Sequence, residues 1–155
     1  MVKPPKRAAK DVAEPAQLVA STGYLLARLG GESRRRWAHM LSEHGLTPHH
    51  FGVLMVLQQL EAASQQQLSR LVGVDPRNAV AVLDVLERER LIRRRAHPTD
   101  RRRHTVTLTP AGRQLLAELG LAGDRIEDEL LNQLSPAERD SLHQLLLKLF
   151  QAVTL

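Results

Sequence analysis

Residues 64–112 read SQQQLSRLVGVDPRNAVAVLDVLERERLIRRRAHPTDRRRHTVTLTPAG, and the order of starts and stops within them decides the fold. Ser64 is followed three residues later by Gln67, a pair able to satisfy each other's free amides, so a helix spans 65–72. Gly73 ends it, since glycine enters the left-handed conformation without a Cβ penalty, and Val74-Asp75 complete a short turn. Asp75 then caps a second helix that opens at Pro76 and runs to about residue 90. Beyond Leu91, residues 92–95 and 104–108 read as strands, the second alternating polar and apolar side chains, with residues 97–103 turning between them. Two helices around a tight turn, followed by a charged hairpin, are the outline of a winged helix-turn-helix.

The helical period through 76–90 puts Ala79, Val82, Leu83 and Leu86 on an inward face. Arg77, Ala81 and Asp84 lie opposite, with Asn78, Val80 and Val85 on the flanks. Arg donates two bonds to guanine and Asn pairs with the major-groove edge of adenine, so both types at the start of an exposed helix suit direct base readout. Ala81, Val80 and Val85 leave room for thymine methyls or touch them. The candidate recognition set is thus Pro76, Arg77, Asn78, Val80, Ala81 and Val85, while Asp84 is expected to pair with Arg88 one turn on.

The candidate wing residues are Arg95, His97, Thr99, Asp100, Arg101, Arg102 and Arg103. An arginine there suits the electronegative minor groove, and Asp100 is expected to stiffen the loop by holding a neighbouring arginine. Ser64, Gln65 and Gln66 at the preceding helix start are candidate contacts to the DNA backbone.

Around this centre, apolar spacing predicts helices over 15–43, 48–61, 110–133 and 136–152, the first with a kink at Gly30-Gly31. Thr47-Pro48, Asp75-Pro76, Thr109-Pro110 and Ser135-Pro136 each pair a capping residue with a proline that tolerates the first helical position, and Glu138 completes a capping box with Ser135. Leu142, Leu145, Leu146, Leu149, Phe150 and Val153 form an apolar stripe on the final helix that a winged domain alone does not need. Residues 1–14, rich in Lys, Pro and Ala, read as a flexible basic tail ahead of a single domain over 15–155.

Composition narrows the function. The 155 residues suffice for one domain with a real core, and the formal charge of +5 is clustered in the tail, at Arg34–Arg36 and around the wing, as a polyanion partner requires. There is no cysteine, hence no disulfide, thiolate metal site or thiol switch. No signal-peptide core or membrane-length apolar run is present, so the expectation is a cytoplasmic protein with no membrane partner. His49, His50, His97 and His104 form no recognised ligand spacing, and phosphate-loop, nucleophile-elbow and zinc-protease motifs are lacking. No metal, no cofactor and no catalysis are expected.

The sequence resembles the MarR family of transcriptional regulators over roughly residues 16–152. Asp100, Arg102, Leu108 and Thr109 fill the family's wing signature, followed by Pro110-Ala111-Gly112. Gly45-Leu46-Thr47-Pro48 and Leu83-Asp84-Val85-Leu86-Glu87 are similar to the family as well. The resemblance implies a mainly α fold with a small antiparallel β wing (α+β), in which a winged helix-turn-helix over about 46–109 is flanked by dimerisation helices over about 15–43 and 110–152. It implies a homodimeric repressor on a pseudo-palindromic operator of double-stranded DNA, released by a small aromatic or phenolic effector. Tyr24, Arg34, Trp37 and His39 are the candidate effector contacts, with core packing and surface charge as the competing explanation. Positions 80, 81 and 85, often polar in the family, are apolar here, which predicts fewer hydrogen bonds to DNA. The alternative is a winged-helix module that docks on transcription machinery without reading sequence.

Overall fold

The helix starts at Pro48, Pro76 and Pro110 are each held by the side chain of the residue before them. In the computed structural model, which describes residues 15–96 and 104–154, the Asp75 carboxylate accepts from the Arg77 amide at 2.8 Å and the Thr109 hydroxyl from the Gly112 amide at 3.0 Å. Thr47 accepts from the His50 amide while His50 Nδ1 accepts from the Thr47 amide at 2.9 Å, a capping box with histidine in the usual Glu or Gln place. Ser64 and Gln67 form the expected reciprocal box. At Ser135 only part of that exchange is present: Glu138 accepts from both the Ser135 amide (2.8 Å) and its hydroxyl (2.7 Å).

These caps launch α3 (Pro48–Leu60), α4 (Gln65–Val72), α5 (Pro76–Arg88), α6 (Pro110–Leu130) and α7 (Pro136–Thr154). They follow α1 (Ala16–Val19) and α2 (Thr22–Glu43). The single first helix expected over 15–43 is therefore two, and the interruption falls at Ala20-Ser21 rather than at Gly30-Gly31. Ser21 accepts from the Tyr24 amide at 3.4 Å and so opens a new helix, whereas the two glycines lie inside α2. A mid-helix glycine costs only about 1 kcal/mol relative to alanine and breaks no backbone bond. The predicted tail lies outside the described residues.

The described residues fall into two compact units, divided between Glu32 and Ser33. In the first, Leu18, Val19, Leu25, Leu26 and Leu29 are exposed. The second holds a three-stranded antiparallel sheet, order β1-β3-β2, from β1 (Ala62–Ser64), β2 (Ile92–Ala96) and β3 (His104–Leu108). Strand β1 is an addition to the two-stranded wing expected from sequence. Its three small residues carry no alternation long enough to read, and pairing with β3 makes it a strand.

Leu41, Leu54, Leu57, Leu68, Leu83, Leu86, Val106 and Leu119 are the fully buried centre of the core, drawn from α2 to α6. Helix α6 meets it through a close approach at Gly112, where a Cβ would lie 2.1 Å from the Leu91 carbonyl oxygen. Helix α5 ends with Arg90 in the left-handed region (φ 58°), and the Leu91 amide reaches back to the Leu86 carbonyl at 2.9 Å. None of the described side chains of α7 is buried. Among the described residues no helix is long and apolar enough to cross a membrane.

Candidate nucleic-acid interface

Helix α5 has the two faces its sequence prescribes. Ala79, Leu83 and Leu86 are buried, Val82 is half-buried, and Arg77, Asn78, Val80 and Ala81 are exposed, with Val85 between the two classes. The angle of α5 against α4 is set by Gly73, left-handed at φ 71°, and by Ser69, a buried residue whose hydroxyl donates to the Val74 carbonyl at 2.6 Å. Ser64, Gln65 and Gln66 line one open groove together with Arg70, Asp75 and Pro76. The candidate backbone contacts and the first residue of the recognition set are thereby brought to one surface.

The sheet register extends this surface. Thr105 lies opposite Ser64 on one side and Arg95 on the other, so the α4 cap and a wing arginine share a cross-strand row. Arg93 and Arg95 are exposed, whereas Arg94 between them is half-buried. His97, Thr99, Asp100, Arg101, Arg102 and Arg103 lie outside the described residues.

One electrostatic expectation is corrected. Asp84 accepts from Arg94 Nη2 at 2.6 Å, while Arg88 turns to its neighbour Glu89 at 3.3 Å. Strand β2 runs beside α5 and delivers the Arg94 guanidinium to Asp84 from outside the helix. Arg94 is not among the site residues the sequence nominates; its signal is the strand alternation itself, which turns the middle member of Arg93-Arg94-Arg95 inward. Hydrogen bonds from Arg94 hold the Glu87 carboxyl below the usual carboxylate range, and those bonds raise the guanidinium's pKa in turn.

Of the four candidate effector contacts, Arg34, Trp37 and His39 belong to the second unit and Tyr24 to the first. Arg34 and His39 are exposed, and His39 sits 3.8 Å from Glu43. Trp37 is half-buried, its ring 5.2 Å from that of Phe51 and tilted 39°, and it fills the space beside Gly123 where a Cβ would lie 2.6 Å away. Tyr24, in the first unit, is half-buried. At the start of α3, His49 is exposed while His50 is buried; burial and His49 together push the His50 pKa down.

A helix, turn, helix and hairpin in this order, with an arginine-led exposed helix beside an arginine-bearing strand, define a winged helix-turn-helix protein. The profile described as MarR family matches residues 44–103. Over 149 residues the chain is 34% identical to a putative transcriptional regulatory protein for the hcr operon of Thauera aromatica, covering 94% of this chain and 90% of that one. Among solved structures, the transcriptional repressor CouR bound to a 23-mer DNA duplex is 33% identical, with a TM-score of 0.70 over 86% of this chain and 95% of that one. The Bordetella bronchiseptica protein BpsR, whose DNA binding is regulated by 6-hydroxynicotinic acid, is 30% identical, with a TM-score of 0.65 over 82% and 96%. The chain belongs to the MarR family: it is a DNA-binding transcriptional regulator and not an enzyme.

Proposed function

We propose that the protein is a cytoplasmic homodimeric repressor that occupies a pseudo-palindromic operator and leaves it when a small aromatic or phenolic acid binds. The observation that carries this reading is the outward face of α5, where Arg77 and Asn78 lead and no other element of the described chain buries them.

In this reading α5 enters the major groove with Arg77 and Asn78 on base edges, each good bidentate pair discriminating by about 1–3 kcal/mol. Pro76, Val80, Ala81 and Val85 complete that surface. Ser64, Gln65 and Gln66 bind the flanking phosphates, and Arg95 with residues 97–103 of the wing serves the adjacent minor groove. Two chains related by a two-fold axis present two such heads about one helical turn apart, so the operator repeats in inverted order. The exposed apolar stripe of α7, with Leu145 at 63%, Leu149 at 57% and Phe150 at 62% exposure, supports a second copy as its cover. Effector release requires a ligand that binds the DNA-free arrangement more tightly than the DNA-bound one. Similarity to BpsR, regulated by a small aromatic acid, supports that class of effector.

Selection of bound duplexes from a random pool supplies the operator, and substitutions on it separate the roles. Arg77→Ala is expected to relax the base preference under α5. Arg101→Ala and Arg102→Ala are expected to weaken binding uniformly across sequences and to flatten the salt dependence by about one unit each. Unchanged affinity in all three variants, or no enriched sequence at all, would leave a protein-docking module as the better account.

A further inference from the structure

Arg93, Arg94 and Arg95 follow one another on β2, and strand alternation sends the middle one to the opposite face from its neighbours. Arg94 turns toward α5, with 22% of its side chain accessible. Its amide donates to Glu87 Oε1 at 3.1 Å and its Nε to Glu87 Oε2 at 2.7 Å. Its Nη2 lies 2.6 Å from both Asp84 Oδ1 and Glu87 Oε2. Asp84 and Glu87 are the only carboxylates within α5, three residues apart on one side of the helix, and a single guanidinium engages both.

An exposed ion pair between two flexible side chains does little for stability. This arrangement differs in two respects. The planar arginine fork fixes direction as well as distance, and Glu87 grips the strand's backbone amide together with its side chain. The covalent link from α5 to β2 is only residues 89–91, with Arg90 in the left-handed region, and Leu91 and Ile92 are buried with Leu86, so the Arg94 contacts add a polar tie, outside that core, between elements that already meet closely. Neutralising two carboxylates would not require the bond to the strand amide; holding an angle does.

We propose that Arg94 is the positioning residue of the DNA-reading head, fixing the hairpin of the wing against α5 so that both reach their grooves in a single pose. This rests on the reading of α5 and the β2–β3 hairpin as the DNA-contacting elements. A point charge cannot substitute for the fork, so lysine at this position fails although the charge is kept. The brace touches no base, and its loss is felt in the difference between operator and random DNA.

The test compares wild type, Arg94→Lys, and the double variant Arg94→Gln/Glu87→Gln, which exchanges one cation and one carboxylate for amides and leaves the net charge unchanged. Each is titrated at fixed salt with the operator selected by the wild type and with a scrambled duplex, and each is melted. We expect both variants to melt close to wild type and to bind scrambled duplex within about twofold, while operator affinity falls about 10-fold or more and base protection by the wing spreads beyond its wild-type positions. Operator affinity within about twofold of wild type in either variant would overturn the proposal. A parallel fall on both duplexes would overturn it too, because that pattern belongs to lost charge or lost fold. Wild-type protein that selects no sequence would instead remove the underlying reading of α5, a result distinguishable before any variant is made.

Discussion

Helices α5 and α7 both carry leucines three or four residues apart on one face, yet Leu83 and Leu86 on α5 are 1% and 0% exposed while Leu145 and Leu149 on α7 are 63% and 57% exposed. The spacing prescribes that a face be covered and is silent about what covers it. For α5 the cover is α3, α4 and β2 of the same chain. For α7 our account assigns it to a second copy, and the contrast can be broken at either end.

The hardest break belongs to the packed end. Gly112→Ala places a Cβ about 2 Å from the Leu91 carbonyl oxygen, a backbone atom that cannot swing away, and should cost more than about 3 kcal/mol in thermal or urea unfolding. Next is Leu86→Ala, which empties a fully buried site and is expected to lose about 2–5 kcal/mol, independent of protein concentration. The double variant Leu145→Glu/Leu149→Glu sharpens the other side. Sedimentation should show it monomeric, with helical content retained and DNA affinity reduced, whereas a dimer as tight as wild type would remove α7 from the interface.

A smaller effect distinguishes the caps. His50 is buried with Nδ1 accepting from the Thr47 amide, and its pKa in the fold lies below the ordinary 6.5. The unfolded chain therefore takes up the proton first, so this contribution to stability is complete above about pH 6.5 and is lost as the pH falls from there through the folded value. Urea midpoints between pH 7 and pH 5 should decline in the wild type and decline less in His50→Gln, which keeps an acceptor for the box. The smallest change expected is a gain: Arg90→Gly relieves the left-handed residue at the end of α5 and should raise stability by about 0.5–1 kcal/mol.

Much of the reading head was legible because each boundary has a local chemical cause. Ser64 with Gln67, Gly73, and Asp75 with Pro76 are satisfied by neighbours within five residues, and the structure ends and begins helices at those positions. What was not legible is non-local. Strand β1 exists because β3 lies beside it, and three small residues hold no pattern of their own. Asp84 has a plausible partner in Arg88 on the helix, and only the return of β2 offers it the better one in Arg94. The glycine pair reads as a kink because propensity says nothing of the hydrogen bonding that carries α2 through it as one helix. For Trp37 the sequence offers an effector contact or core packing, and its packing on Phe51 and beside Gly123 is a tertiary fact that no spacing encodes.

The most direct test of the account as a whole is sedimentation of the intact chain on its own selected duplex, beside a scrambled duplex of equal length at physiological salt. The account predicts two chains on one duplex carrying an inverted repeat, with the scrambled duplex largely free at the same concentration. One chain per duplex, or equal occupancy of both duplexes, would contradict it.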